Sequence, residues 1–135
     1  MTPSPNRVVA LVLGAGFAVF GIASIWVGAA TGVVIGAGPA LLLGLFSTNV
    51  LWGCVLTAAG IVSVAAAARG VAAAKVANIV AGTLWLAIGY AGLFAIGTAA
   101  NVPGINSPVT VGLFAASAVQ LAVGLGARRD VPAPA

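Results

Sequence analysis

Residues able to do acid–base, nucleophilic or metal chemistry are almost missing from this sequence. It holds no histidine, one cysteine, Cys54, and one acid, Asp130, in the last residues. Paired carboxylates and Ser/His/Asp or Cys/His constellations need two or more such groups within hydrogen-bond reach. A metal site needs several imidazole, thiolate or carboxylate ligands converging on one point. The side chains present satisfy neither requirement, so the sequence predicts no enzyme, no metal and no cofactor. Cys54 lies inside an apolar run, has no partner for an intrachain disulfide, and reads as a buried, inert thiol.

Neutral polar groups within apolar runs are the remaining candidates. Gln120 falls near the centre of the last run, where an unpaired amide is the costliest group to hold in hydrocarbon. It is expected to face another helix and hydrogen-bond across to Thr57 or a backbone carbonyl, a bond worth about 0.6 kcal/mol and up to about 2. Thr57 and Ser117 can instead return a hydroxyl proton to the carbonyl one turn earlier. Between Val8 and Ala127 the only charges are Arg69 and Lys75, so no proton relay of the kind that intramembrane carboxylates support can be drawn. Asn49, Asn101 and Asn106 stand beside glycine or proline turns and read as loop caps. Trp85, in mid-run, is expected to pack against a glycine-rich neighbour.

The elements that carry these residues follow from composition. The 135 residues are 62% hydrophobic and 4% charged, against roughly 25% charged in a soluble domain. Four apolar runs, 8–30, 50–68, 76–99 and 109–127, exceed the ~18 residues that mark a membrane span. The expected fold is all-α: one integral membrane four-helix bundle over 1–135, with short disordered tails at 1–6 and 128–135. The first run is long for a signal peptide, whose apolar region spans about 7–15 residues.

Segment 31–49 is apolar enough to suggest a fifth crossing, and charge decides against it. Four crossings place Arg7, Arg69, Lys75, Arg128 and Arg129 on one side, as the positive-inside rule requires. Both termini are then cytoplasmic, in the plasma (inner) membrane. Pro39 suits the first turn of a helix, so a short helix is expected over 39–47, either interfacial or re-entrant. Trp26 and Trp52 are expected as interfacial anchors at the outer ends of helices one and two. The net charge of +4 forms no basic stripe able to neutralise several phosphates, which excludes nucleic acid. The lipid bilayer is the expected partner, with Arg69, Lys75, Arg128 and Arg129 near anionic headgroups.

An offset of 68 residues aligns the first run with the third: Arg7 with Lys75, Gly14 with Gly82, Phe17 with Trp85, Gly21 with Gly89 and Trp26 with Phe94. An offset of 64 aligns Gly60 with Gly124. The pattern reads either as chance in Gly/Ala-rich helices or as two helical hairpins related by an axis along the membrane normal. Glycines four or seven apart share a helix face and let a neighbouring backbone approach. Gly14 with Gly21, Gly82 with Gly89, and Gly28 with Gly32 and Gly36 form such rows. These faces serve tight packing within the chain, or docking to a second copy or a larger complex.

The run Gly44 to Val62, GLFSTNVLWGCVLTAAGIV, resembles an uncharacterised actinobacterial family of small four-helix membrane proteins, a domain of unknown function. Its pattern is a phenylalanine, then Asn-x-x-His-Asn-x-x-His, and a glycine four residues on. Phe46, Asn49 and Gly60 match, while Trp52, Gly53 and Leu56 stand at the His, Asn and His positions, and a fourth-helix histidine position falls at Gln120. The resemblance implies the four-helix topology and no known activity. The expected function is a structural or accessory membrane protein packing through small-residue faces. The alternative is a passive channel or carrier for small uncharged solutes passing Gln120.

Overall fold

The computed structural model describes residues 4–126. Four helices dominate: α1 Pro5–Thr31, α2 Val50–Arg69, α3 Val71–Ala95 and α4 Ser107–Leu125. Each is long and apolar enough to cross a membrane, and in hydrocarbon a helix is one of few ways to bond every backbone group internally. α1 packs mainly on α2 and α3 mainly on α4, giving two hairpins. Residues aligned by the 68-residue offset occupy matching places. Phe17 and Trp85 meet with ring centroids 4.9 Å apart, while Trp26 and Phe94 are 78% and 83% exposed near the ends of α1 and α3.

The connections differ from expectation at both ends. The stretch expected to link helices two and three over 69–75 shrinks to Gly70, at φ 130°. Arg69 is the last residue of α2, and Lys75 lies in the early turns of α3. No helix forms at 39–47. Those residues make a small antiparallel hairpin, β1 Leu41–Leu42 and β2 Phe46–Ser47, turned through Leu43 at φ 55° and Gly44 at φ 69°. Its physical reason is backbone pairing: Thr48 N–H donates to Ala40 O at 3.0 Å and Leu45 N–H to Leu42 O at 3.2 Å, so an apolar segment that does not cross still satisfies its polar groups. Pro5 and Asn6, expected in a disordered tail over 1–6, instead open α1, while residues 1–3 and 127–135, with Arg128, Arg129 and the tail expected over 128–135, lie outside the described residues.

The core holds Trp52, Leu56, Trp85, Ile105, Val109 and Leu113. Trp52 is therefore a core residue and not an interfacial anchor. Trp85 packs on Phe17 of α1 and on Trp52 of α2, whose ring lies 6.3 Å away, edge to face. Cys54 is exposed on the flank of α2, contrary to a buried thiol.

Candidate functional site

The α1/α2 contact is built backbone on backbone. A methyl added at Gly14 would lie 2.9 Å from Gly60 O, one at Gly21 2.7 Å from Gly53 O, and one at Gly28 2.7 Å from Val50 N. From the other side, a methyl at Gly53 would lie 2.7 Å from Gly21 O and one at Gly60 2.5 Å from Gly14 O. Spacings of seven keep both rows on one face and allow the helices to touch without side chains between them. The sequence analysis places Gly53 only at a family motif position and not among the packing glycines, although its spacing of seven from Gly60 matches that of Gly14, Gly21 and Gly28.

The α3/α4 contact pairs glycine with side chains. A methyl at Gly82 would meet Leu121 Cγ at 2.8 Å, one at Gly89 Phe114 Cε1 at 2.7 Å, and one at Gly124 Ile79 Cγ1 at 2.7 Å. Gly32 and Gly36 do not extend the Gly28 row. Gly32 is the left-handed C-cap of α1 at φ 74°, and Gly36 sits in the following loop at φ 77°. These are conformations glycine adopts without steric cost.

Of the intramembrane polar residues, Thr57 bonds within its own helix as expected, while Gln120 and Ser117 depart from expectation. Gln120 is 0% exposed, yet its Oε1 and Nε2 have no hydrogen-bond partner among the described residues. Thr57 instead donates to Gly53 O at 2.8 Å within its own helix. Between α3 and α4 a bond comes from Ser117, whose Oγ donates to Gly82 O at 2.7 Å. The indole Nε1 atoms of Trp52 and Trp85 are also buried without partners.

At the loop end, Asn49 is the hub. Its Oδ1 accepts from Trp52 N–H at 2.7 Å, capping α2, and its Nδ2 donates to Gly36 O at 3.0 Å and Val102 O at 3.2 Å. Val50 and Leu51 N–H donate to Val33 and Val34 O at 3.1 and 3.0 Å, satisfying amides that a helix start leaves open. Asn106 caps α4 by accepting from Val109 N–H at 3.3 Å and donates to Leu45 O at 2.9 Å. Asn101 exchanges two 2.8 Å bonds with Ile105. Asn49 and Asn106 are helix caps that also join the loops to one another, and Asn101 closes its own loop.

At the Gly70 end, Arg7 Nε donates to Ala67 O at 2.9 Å, placing a cation on the C-terminal carbonyls of α2, where it is favoured. Asn78, buried in α3, donates to Asn6 O at 3.0 Å and Asn6 Oδ1 at 3.1 Å. The sequence reading passed over Asn78. Its signal was an amide in an apolar run, one turn after Lys75 and four residues before Gly82.

A cleft of about 400 Å³ opens sideways between α1 and α4, floored by Phe17, Phe20, Trp52, Leu56 and Leu113. Its rim includes Gly16 and Gly112, where an added methyl would meet nothing within 4 Å. Phe46 of β2 lines its loop end, packed edge to face on Phe20 at 5.4 Å.

No family model, no curated protein and no solved structure matches the chain. Fold and interior together define the class, a multi-pass membrane protein built as an all-α four-helix bundle. Of the family-like positions, Asn49 is the loop-end hub and Gly60 a closest-approach glycine, while Trp52, Leu56 and Gln120 all point into the bundle.

Proposed function

We propose that this chain is a structural or accessory component of the plasma membrane, acting through its packed surfaces and not by transforming a substrate. The observation that carries this reading is the α1/α2 lock, in which methyls at Gly14, Gly21, Gly28, Gly53 and Gly60 would all strike backbone atoms within 3 Å. Such a hairpin serves as a rigid scaffold. Because those glycines are already in use, docking to a second copy or a larger complex falls to the flanks that remain open. The resemblance of Gly44 to Val62 to small four-helix membrane proteins agrees with this reading and adds no activity.

Both termini are assigned to the cytoplasm, with Arg7, Arg69 and Lys75 near the inner headgroups and the Asn49 cap outside. Cysteine labelling in a Cys54→Ala background tests this. A probe at Ser107, exposed at the start of α4, should react from outside only, and reaction from the cytoplasm would overturn the orientation.

The alternative of a passive channel or carrier for small uncharged solutes draws on one observation, the buried polar groups without partners, the amide of Gln120 and the indole N–H groups of Trp52 and Trp85. Water or a neutral solute could satisfy these groups. Purified protein in liposomes separates the readings. The scaffold reading expects no flux of glycerol or urea above empty vesicles, whereas flux that Gln120→Leu abolishes would replace it with the channel reading.

A further inference from the structure

We infer that the cleft between α1 and α4 is a binding site for one acyl chain of a bilayer lipid. Its location and size both point there. The cleft runs along α4 from Val109 to Val119, ten steps along the helix, or about 15 Å at ~1.5 Å per residue. That equals one leaflet, half of a hydrocarbon core about 30 Å thick. Phe46 and Val109 mark its loop end, and Leu13 and Val119 its deep end, so it starts at one interface and stops near the midplane.

Volume selects a chain over a helix. A helix 15 Å long and about 10 Å wide fills about 1,200 Å³, three times the cleft of about 400 Å³. An acyl chain is far narrower than a helix, and its run across one leaflet is the length of about 15 Å that the cleft spans. The lining is apolar and aromatic, as small-molecule sites are. Gly16 and Gly112 leave the rim open by lacking side chains, and neither is needed for packing within the chain. Loops 32–49 and 96–106 carry no charged residue, so the lipid is held by its tail and not chosen by headgroup charge.

The test uses the full chain in vesicles of phosphatidylcholine brominated midway along one acyl chain, because bromine quenches a tryptophan it touches. Trp52, on the cleft floor, is left as the sole tryptophan by Trp26→Phe and Trp85→Phe. Its fluorescence should be quenched, and Gly16→Leu with Gly112→Leu should reduce that quenching to the level seen for a chain keeping only the fully buried Trp85. Native mass spectrometry of the otherwise unaltered chain should retain a single lipid that the double leucine variant loses, equally from zwitterionic and anionic vesicles. Circular dichroism should show the same helicity in both forms. Undiminished quenching in the blocked variant, no retained lipid, retention only of anionic lipid, or a dimer that the leucines dissociate would each overturn the assignment, the last by showing a second copy in the cleft.

Discussion

Replacing Gly60 by alanine measures how closely α1 and α2 are locked. The added methyl would stand 2.5 Å from Gly14 O and 2.9 Å from Ala18 Cα, where ordinary contact begins at 3.4 Å. These obstacles, and Ala18 N, which lies closer still, are helix backbone and cannot rotate aside, so α1 must retreat by at least 3.4 − 2.5, about 0.9 Å. A gap of that size forfeits about a quarter to a half of the dispersion energy of each facing atom pair, and overpacking generally costs about 1–3 kcal/mol. Alanine's better helix propensity offsets about 1 kcal/mol in water, and less in hydrocarbon, where the helix is already obligatory. The expected result is a net loss of about 1–2 kcal/mol, near tenfold in the folded-to-unfolded ratio. Gly16→Ala makes the same chemical change on the same hairpin, but its methyl meets nothing. That variant should be unchanged, or more stable by less than about 1 kcal/mol. Reversible unfolding in mixed micelles, followed by far-UV circular dichroism, gives both values. Equal stabilities for the two variants would refute the backbone-on-backbone account of the hairpin.

Ser117→Ala removes the bond to Gly82 O and should cost about 0.6 kcal/mol, at most about 2, in the same unfolding assay. Asn49→Ala removes the α2 cap, worth about 0.5–2 kcal/mol, and two bonds joining the loops. It should lower stability by about 2–3 kcal/mol in total and expose segment 32–48 to limited proteolysis. Gln120→Leu should be neutral or stabilising by about 1–3 kcal/mol, because the amide has no partner to lose and leucine of similar shape needs none. A destabilised Gln120→Leu would mean that bound water or solute satisfies the amide, and would favour the channel reading.

The four helices were legible because each apolar run between charges or turn residues has one answer in hydrocarbon. The loop caps were legible too, since asparagine beside proline or glycine has few other uses. The 39–47 hairpin was not. Its turn, Leu43-Gly44, places a leucine at φ 55°, a strained conformation that no turn signature announces, and its residues are as apolar as a helix. Pairing with neighbouring backbone, invisible in one sequence, decided it. Gln120 was legible as buried but not as unpartnered, because which polar atoms face it depends on helix rotation. Ser117, one turn away, took the interhelical bond for the same reason. Trp52 went to the core instead of the interface because Asn49 starts α2 just before it and turns that face inward.

The two hairpins divide the work unequally. α1 and α2 meet through backbone and leave no room for a methyl, so their arrangement is fixed by glycine and tolerates little. α4 meets α3 through Leu121, Phe114 and Ile79, side chains that can change rotamer when pressed. α4 also carries the buried Thr110, Ser117 and Gln120 and one wall of the lateral cleft. Half of the buried polar side chains of the four helices, the open flank and the softer interface therefore belong to the same helix. It follows that substitutions along the α1/α2 seam report on folding, whereas those on α4 can alter lipid or partner contact while the bundle stays assembled. A matched pair such as Gly60→Ala and Gly112→Leu separates the two effects, because only the first disturbs backbone packing.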